Sequence, residues 1–317
     1  MARFRRLDGD VSGPRRPNLF IVGAPKCGTT SLRNYLGQHP DVCMSEPKEP
    51  NFFGRDLDMD SWRVAGTEDE YLELFAHATG QTVLGEASTW YLRSERAAAE
   101  IHAFNPAARI VALVRNPADM LYSLHSQLVR VGIEDLRPFE AALDAELSRR
   151  RGKLMPRHAS FPQALQYRRA ARFTVQIRRY REVFPPGQVR VVLFDDLKAD
   201  AAGTYRAVLD FLGLDPTFEP SFDVHNRNQS VRSLAARDFL LRTPELVKRG
   251  VRAIAPTPFR RNLYLSLLRL NSPEARRVPL SAGTRARLVR DFRPEVEQLE
   301  VLIQRDLHSW LEIPSVS

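Results

Sequence analysis

Cysteine is scarce in this sequence: Cys27 and Cys43 are the only two among 317 residues. Two cysteines cannot build a disulfide-rich scaffold, and no metal-ligand spacing accompanies them. We therefore expect two free thiols in a reducing compartment, and no bound metal. The length leaves ample material for a hydrophobic core, in one large α/β domain or two small ones.

Long apolar runs are also missing. No stretch approaches the roughly 20 apolar residues that a membrane-spanning helix needs. Residues 1–17 are basic and lack the apolar segment of a secretion signal. We expect a flexible N-terminal extension there, followed by one domain over residues 18–313. These absences predict a soluble, cytoplasmic protein without stable membrane insertion.

Acidic residues are outnumbered: 38 Asp and Glu oppose 47 Lys and Arg, and the formal net charge is +9. Such an excess is typical of proteins that meet a polyanion, whether a nucleotide, an acidic sugar, a nucleic acid or an anionic lipid. Arginines scattered along helices also form solvated faces, so charge alone selects no partner. The amphipathic run RRNLYLSLLRL, within residues 242–280, leaves two readings open: a helical insertion packed on the domain, or an acceptor-side surface with peripheral lipid contact.

Short apolar runs alternate with helical patterns along the chain. Four runs are rich in β-branched residues, as buried parallel strands are: 19–22, 82–84, 110–114 and 189–194. Helical patterns cover 29–38, 94–104, 117–131, 139–150, 162–183, 201–212 and, with an interruption at 292–294, 284–311. The alternation predicts an α/β fold of three layers, a central parallel sheet with helices on both faces. Functional groups should then gather beyond the carboxyl ends of the strands.

The first strand runs into the most informative loop. In NLFIVGAPKCGTTSL, Gly23 and Gly28 keep the G-x-x-x-x-G spacing of a phosphate-binding loop that opens into a helix. A helix N-terminus attracts anions through its unpaired N–H groups and its dipole. A Walker motif places lysine directly after the second glycine, but Thr29 stands there and the only loop lysine, Lys26, comes earlier. The pattern predicts a P-loop-like anion site, with a structural turn as the alternative.

A second element follows the strand at 110–114. RIVALVRNPADMLYS places Arg115 at the end of the strand, Pro117 in the first helical turn and Ser123 two turns further on. A guanidinium there suits a pair of phosphate oxygens, although a structural ion pair with Asp119 would use the same residue. Together the two elements predict one ligand with two separate anionic groups.

The motifs APKCGTTSL and RIVALVRNPADMLYS resemble the 5′-phosphosulfate loop and the 3′-phosphate element of the sulfotransferases that use 3′-phosphoadenylyl sulfate (PAPS). The resemblance extends from Asn18 to about Trp310. It is closest to the branch that holds bacterial sulfotransferases and heparan-sulfate sulfotransferase domains. It implies a P-loop-like fold, PAPS as the donor and PAP as the product. No metal is expected, because a sulfuryl group carries less charge than a phosphoryl group.

The resemblance also implies a role for each matching residue. Lys26 would contact the sulfuryl group and steady the charge on the departing phosphate. Arg115 and Ser123 would bind the 3′-phosphate. The other nucleotide contacts would come from the loop, a helical tyrosine and a late loop: Pro25, Cys27, Gly28, Thr29, Thr30, Ser31, Tyr167, Arg232 and Ser233.

Some of these assignments have competitors. Tyr167 lies in a helical pattern where a core aromatic fits equally well. In HNRNQSVRSLA, Arg227 suits the same role as Arg232. Histidine-based catalysis would fall on His39 or His125, but neither lies in a matching pattern.

The candidate general base is Glu49. Its segment, SEPKEPNFFG, resembles the E-P-x-F-F stretch in which the sugar-modifying branch carries its catalytic glutamate. A carboxylate within reach of a sugar hydroxyl can take its proton. Glu86, in GEASTWYLRS, is the second candidate. The heparan-sulfate branch has a lysine beside this position; Ala87 follows here, so Lys26 and Lys48 are the only lysines nearby.

The sequence thus predicts in-line transfer of a sulfuryl group from PAPS to a hydroxyl, or an amine, of a saccharide, glycolipid or natural product. We expect a small-molecule or saccharide acceptor and no nucleic-acid partner. Two other functions stay open: a non-catalytic protein that binds PAP or a polyanion, and an atypical P-loop kinase that needs Mg²⁺ and ATP.

Overall fold

The computed structural model describes residues 15–156, 159–223 and 278–313. Within them, parallel strands form one sheet in the order β2-β3-β1-β4-β5. The strands are β1 (Leu19–Gly23), β2 (Val42–Met44), β3 (Val83–Ala87), β4 (Arg109–Val114) and β5 (Val189–Leu193). The predicted central parallel sheet is confirmed.

Helices surround this sheet in two groups. In the described part of the chain they are α1 (Thr29–Leu36), α2 (Glu68–Glu73), α3 (Ala97–Phe104), α4 (Pro117–Val131), α5 (Phe139–Arg149), α6 (Tyr167–Ala170), α7 (Phe173–Val183), α8 (Phe194–Ala199), α9 (Ala201–Leu212) and α10 (Ala282–Ile303). Helix α1 contacts α9, whereas α7 contacts α3 and α10, which also contacts α4. Because parallel crossovers are right-handed, the chain must cover opposite faces when it moves to opposite sides of β1. The three-layer prediction is therefore confirmed.

The central strands form the core and set the position of the loops that follow them. The side chains of β1 are fully buried from Leu19 to Val22, and those of β4 from Ile110 to Val114 are at most 1% exposed. Strand β1 pairs with β3 on one side and β4 on the other. The loops after these strands therefore leave the sheet at one edge.

Several predicted boundaries differ from the structure. Strand β2 has three residues and carried no separate pattern in the sequence. The helix predicted over 162–183 is divided into a 3₁₀ turn, α6 and α7, because Gln166 and Arg172 leave helical geometry with ψ of 74° and 64°. Phe194, predicted to end a strand, begins α8.

Helix α10 also differs, since it runs through Pro294 without interruption and ends at Ile303. Pro294 is exposed, while Phe292 and Val296 on either side of it are buried. Packing of this apolar face holds the helix together where local propensity alone would break it.

Some predicted features lie outside the described residues. They include most of the N-terminal extension, nearly all of residues 242–280, and Arg227, Arg232 and Ser233. The assignment of residues 18–313 to one domain stays a prediction. None of the helices in the described ranges combines the length and apolar character that crossing a bilayer requires.

Candidate active site

The loop after β1 lies at the carboxyl edge of the sheet. The Ala24 amide donates to the Leu113 carbonyl of β4 at 2.6 Å, which ties the loop to the neighbouring strand. Gly28 caps α1 in a left-handed conformation, so the helix begins at Thr29 with its first N–H groups at the loop. Lys26 is left-handed as well, with φ of 64°. The turn therefore presents a lysine and the positive end of a helix, as an anion site requires.

Both glycines of this loop are required by close contacts. At Gly23, φ is 139° and a Cβ would lie 2.3 Å from the Thr89 carbonyl oxygen. At Gly28, a Cβ would lie 2.9 Å from Leu197 Cδ2 and 3.0 Å from Phe194 Cδ2. Gly23 therefore lets the chain after β3 approach the loop, and Gly28 lets α8 pack against it.

Cys27 faces the core from the middle of the loop. It is fully buried, and its thiol donates to the Pro25 carbonyl at 3.4 Å. Burial raises the pKa of this thiol to about 12, and the nearby Arg115 guanidinium offsets only part of that effect. The thiol is therefore protonated and is not a nucleophile. A nucleotide contact at this position would use the backbone.

Arg115 is fixed between the loop and α8. Its Nη1 donates to the Lys26 carbonyl at 3.2 Å, and its guanidinium carbon lies 4.5 Å from the centroid of the Phe194 ring. The alternative ion pair with Asp119 is not formed, since Asp119 binds Arg285 at 2.6 Å. The two cationic residues predicted to bind separate anionic groups are thus brought together at one edge of the sheet.

Ser123 lies two turns into α4 and is buried. The helix begins where predicted because Asn116 caps it: the Asn116 side chain accepts from the Ala118 amide at 3.0 Å, and Pro117 fills the first turn. Arg115 and Ser123 are therefore carried by the end of β4 and by the helix that follows it directly.

Glu49 reaches the end of β3. Its Oε2 accepts from the Thr89 amide at 2.9 Å and from Thr89 Oγ1 at 3.3 Å, while Oε1 is paired with the Lys48 ammonium. The Glu49 amide donates to the Ala87 carbonyl at 3.1 Å. The Glu49 side chain is 31% exposed. Both oxygens of Glu49 have partners, but its side chain is partly open to solvent, so a bound hydroxyl can approach it and give up a proton to it.

Residues 46–54, called the Glu49 loop from here on, have an unusual backbone. Glu49 and Asn51 both have positive φ, 62° and 53°. The Arg63 guanidinium spans the far end of the loop: it donates to the carbonyls of Asn51, Phe52 (3.1 Å), Phe53 (3.2 Å) and Gly54 (3.1 Å). One side chain thereby fixes four successive peptide groups.

Glu86 is enclosed in the core. Its side chain is fully buried and accepts from the hydroxyls of Tyr71 at 2.7 Å, Tyr91 at 3.1 Å and Ser88 at 2.7 Å. Burial raises the pKa of Glu86 to about 7, although the three hydrogen bonds act in the opposite direction. Both carboxylate oxygens are thus occupied and shielded from solvent, which argues against Glu86 as the base that meets an acceptor.

Tyr167 belongs to a buried polar cluster. Its hydroxyl donates to Glu134 Oε2 at 2.8 Å, and Arg149 binds the same carboxylate through both terminal nitrogens at 2.6 and 2.7 Å. Tyr167 is fully buried. The structure therefore favours its reading as a core aromatic over its reading as a nucleotide contact.

The two candidate histidines are also engaged within the protein. His125 Nε2 lies 2.8 Å from the Leu136 carbonyl, and burial lowers its pKa. His39 Nδ1 accepts from the Asp41 amide at 3.1 Å, and its Nε2 lies 3.3 Å from the Asp215 carbonyl. Neither contact joins a histidine to the loop. No cluster of three or more His, Cys, Asp or Glu side chains suited to a metal occurs within the described ranges.

Sequence reasoning missed two residues that shape this site. Thr89 anchors Glu49, and a polar residue shortly after a strand was a usable signal for it. Arg63 lies nine residues beyond the end of the Glu49 loop, and no local pattern distinguishes it from the other arginines. Its role comes from contacts that only the folded chain creates.

Comparisons with known proteins assign this geometry to a family. A family model described as "Sulfotransferase family" matches residues 17–220, which contain the loop, Glu49 and Arg115. The chain belongs to the sulfotransferase family. Among solved structures, a sulfotransferase from Alicyclobacillus acidocaldarius is 29% identical, with a TM-score of 0.68 over 94% of this chain and 100% of that one.

Curated sulfotransferases show similarity over shorter regions. The human bifunctional heparan sulfate N-deacetylase/N-sulfotransferase 3 is 28% identical over 224 residues, 67% of this chain and 24% of that protein. The human carbohydrate sulfotransferase 15 is 31% identical over 147 residues, 34% of this chain and 26% of that protein. The matched regions thus span about a quarter of the length of each of these relatives.

Proposed function

We propose that this protein transfers the sulfuryl group of PAPS to a hydroxyl group of a saccharide acceptor. One observation carries the proposal: the Arg115 side chain donates to the Lys26 carbonyl, so the guanidinium is joined to the loop that carries Lys26, beyond β1 and β4. Glu49 is anchored to Thr89 beyond the neighbouring strand β3. Two anion-binding groups and a carboxylate at one edge of the sheet suit a doubly phosphorylated donor and an acceptor that loses a proton.

The donor would be bound at its two ends by different elements. The first turn of α1, at Thr29, Thr30 and Ser31, offers backbone N–H groups and hydroxyls to the 5′-phosphate. Arg115 and Ser123 would bind the 3′-phosphate. The Phe194 ring under the Arg115 guanidinium supports this role, because stacking leaves the edge of the guanidinium free for phosphate oxygens. Arg232 and Ser233 are proposed to complete the nucleotide site.

The reaction requires a proton transfer from the acceptor, a new bond to sulfur and the breaking of the old bond to sulfur. Glu49 accepts the proton of the acceptor hydroxyl, and the acceptor oxygen forms a bond to sulfur. The bond between sulfur and the 5′-phosphate oxygen breaks, and PAP leaves with the electron pair. Lys26 stabilises the negative charge on that oxygen, as preorganised donors do at developing oxyanions.

The activities for which two relatives are named support a saccharide as the acceptor. They are those of a heparan sulfate N-sulfotransferase and a carbohydrate sulfotransferase. Transfer to an amine is therefore the alternative within the same reaction class. The net charge of +9 agrees with an acidic saccharide, although it does not select one.

The test is transfer of label from ³⁵S-PAPS to a panel of desulfated and partly sulfated saccharides, with a glycolipid and a phenol for comparison. We expect Glu49→Gln to lower kcat about 10²- to 10⁴-fold, and Lys26→Ala about 10²- to 10³-fold. Matched controls are Glu46→Gln, in the same loop, and Lys198→Ala, on α8; both side chains are exposed, and both variants should keep wild-type rates.

Thermal shifts with PAP separate the donor site from the chemistry. PAP should raise the Tm of the wild type and of Glu49→Gln alike, since a ligand that binds the folded state stabilises it. A PAP shift without label transfer to any acceptor would indicate a non-catalytic binding protein. Mg²⁺-dependent ATP turnover would indicate a kinase, and no PAP shift at all would refute the donor assignment.

A further inference from the structure

Glu86 is linked to the Glu49 loop through two of its three hydrogen-bond donors. The Ser88 hydroxyl donates to Glu86 and accepts from the Asn51 amide at 3.1 Å. The Tyr91 hydroxyl donates to Glu86 and accepts from the Phe53 amide at 3.1 Å. One buried carboxylate is therefore connected to two peptide groups of the loop that carries Glu49.

The direction of these bonds depends on Glu86. A hydroxyl has one hydrogen, so a hydroxyl that donates to the carboxylate turns its lone pairs elsewhere. The lone pairs of Ser88 and Tyr91 face the amides of Asn51 and Phe53. When it is ionised, the Glu86 carboxylate can only accept, and it then fixes both hydroxyls in the orientation that the loop needs.

The Glu49 loop needs such support because of its backbone. Left-handed conformations at Glu49 and Asn51 are costly for residues with a side chain, and they persist only where the surroundings impose them. Arg63 holds the loop by its carbonyls. Ser88 and Tyr91, which both donate to Glu86, hold the loop by the amides of Asn51 and Phe53.

A buried carboxylate lowers the stability of a core relative to an apolar side chain. Taking its charge out of water is unfavourable, and an apolar side chain of similar size would pack at lower cost. The three hydroxyl donors around Glu86 offset part of this penalty and give the carboxylate a geometric role. Because Glu86 is linked to the Glu49 loop, this geometric role is to support the conformation of the loop.

We infer that Glu86 is a positioning residue, which orients the carboxylate of Glu49 through the Ser88 and Tyr91 hydroxyls. The inference rests on the proposed function, in which Glu49 is the general base. Glu86 itself does not contact the acceptor. It acts by keeping the Glu49 loop in the conformation that aims Glu49 Oε1 away from Thr89.

Tyr71 provides a matched control for the test. Its hydroxyl also donates to Glu86, at 2.7 Å, but it has no contact with an amide of the Glu49 loop. Tyr71→Phe, Tyr91→Phe and Ser88→Ala each remove one hydroxyl bond to the same carboxylate. Only Tyr91→Phe and Ser88→Ala also remove an acceptor from the loop.

The first measurement is hydrogen exchange of the peptides that cover residues 46–54. We expect Ser88→Ala, Tyr91→Phe and Glu86→Gln to speed exchange in this region, and Tyr71→Phe to leave it within about twofold of the wild type. This readout needs no acceptor and holds whether or not the protein transfers sulfate. Equal exchange in all four variants would overturn the inference.

The second measurement is kcat with an active acceptor, alongside PAP affinity by calorimetry. We expect Ser88→Ala and Tyr91→Phe to lower kcat about 10- to 100-fold, since small misplacements of a catalytic group have effects of that size, without changing PAP affinity. In a Glu49→Gln background, Ser88→Ala should have no further effect on kcat.

The outcomes separate the inference from the proposed function. If Glu49→Gln alone leaves kcat unchanged, Glu49 is not the base and the proposed mechanism fails. If Glu49→Gln is inactive but Tyr71→Phe lowers kcat as much as Tyr91→Phe, Glu86 has a general structural role and the inference is wrong.

Discussion

At the scale of single residues, Glu49 and Glu86 have very different surroundings. Glu49 shares one oxygen with Thr89 and keeps contact with solvent, which leaves it able to exchange a proton with a ligand. Glu86 is shielded and surrounded by hydroxyl donors. The sequence offered both as candidate bases, and burial distinguishes them.

The raised pKa of Glu86 predicts a pH-dependent stability. Burial raises the pKa of Glu86 to about 7 in the folded protein, from the ordinary value of 4.5 that applies in the unfolded chain. The stability that the protonated form provides is therefore lost as pH rises between these values, by about 3 kcal/mol at ~1.4 kcal/mol per pH unit. Tyr71 and Tyr91 stay protonated throughout, because burial raises each pKa well above 10.

Glu86→Gln removes this titration. Urea unfolding of the wild type and of Glu86→Gln at pH 5 and pH 8 should show the free-energy difference between them shift in favour of Glu86→Gln by about 3 kcal/mol on going to pH 8. A constant difference across this range would show that Glu86 is ionised at both pH values.

Tyr167→Phe tests the role of the buried tyrosine. The substitution removes one hydrogen bond to Glu134, while Arg149 keeps its two bonds to the same carboxylate. We expect the free energy of unfolding to fall by about 1–2 kcal/mol and PAP affinity, measured by calorimetry, to stay unchanged. Weaker PAP binding at unchanged stability would instead support the nucleotide contact.

At the scale of elements, the Glu49 loop is fixed by contacts from three directions. Strand β3 accepts its Glu49 amide, the hydroxyls of Ser88 and Tyr91 accept its later amides, and Arg63 donates to its carbonyls. A loop without regular structure thereby satisfies its backbone groups almost as a strand does.

Arg63→Lys should expose this dependence. A lysine keeps the positive charge, but its compact ammonium cannot span four successive carbonyls as the planar guanidinium does. We expect the free energy of unfolding to fall by about 2 kcal/mol in urea titrations, together with a lower kcat. Arg55→Lys, at an exposed arginine beside the loop, is the matched control and should behave as the wild type.

Local signals predicted elements well where one residue type fixes the backbone. Helix α4 covers the predicted residues 117–131, because Asn116 and Pro117 start it and Gly132 ends it in a left-handed conformation. Helix α9 also has its predicted bounds, set by Asp200 and Gly213. Strand β2 and the break at Gln166 were not predictable in this way, because tertiary packing creates them.

At the scale of the whole molecule, the sheet order explains which parts of the site could be predicted. Residues carried by one strand and its following helix, such as Lys26 and Thr29 or Arg115 and Ser123, keep a fixed relation that sequence spacing encodes. Contacts between segments that are far apart in the chain are not encoded by sequence spacing. The anchoring of Glu49 by Thr89 joins the loops after β2 and β3, and Gly23 separately lets the loop after β1 approach the Thr89 carbonyl. The roles of the site residues in binding and catalysis stay predictions until variants are measured.

Because Cys27 is buried in the loop after β1, the reactivity of its thiol can report how often that loop opens. A protonated, enclosed thiol reacts with iodoacetamide only during excursions that expose it, so its alkylation rate counts those excursions. A nucleotide that closes on the loop should slow this labelling in proportion to its occupancy. Cys27 thus supplies a handle, present in the native chain, for following how a nucleotide occupies the proposed donor site.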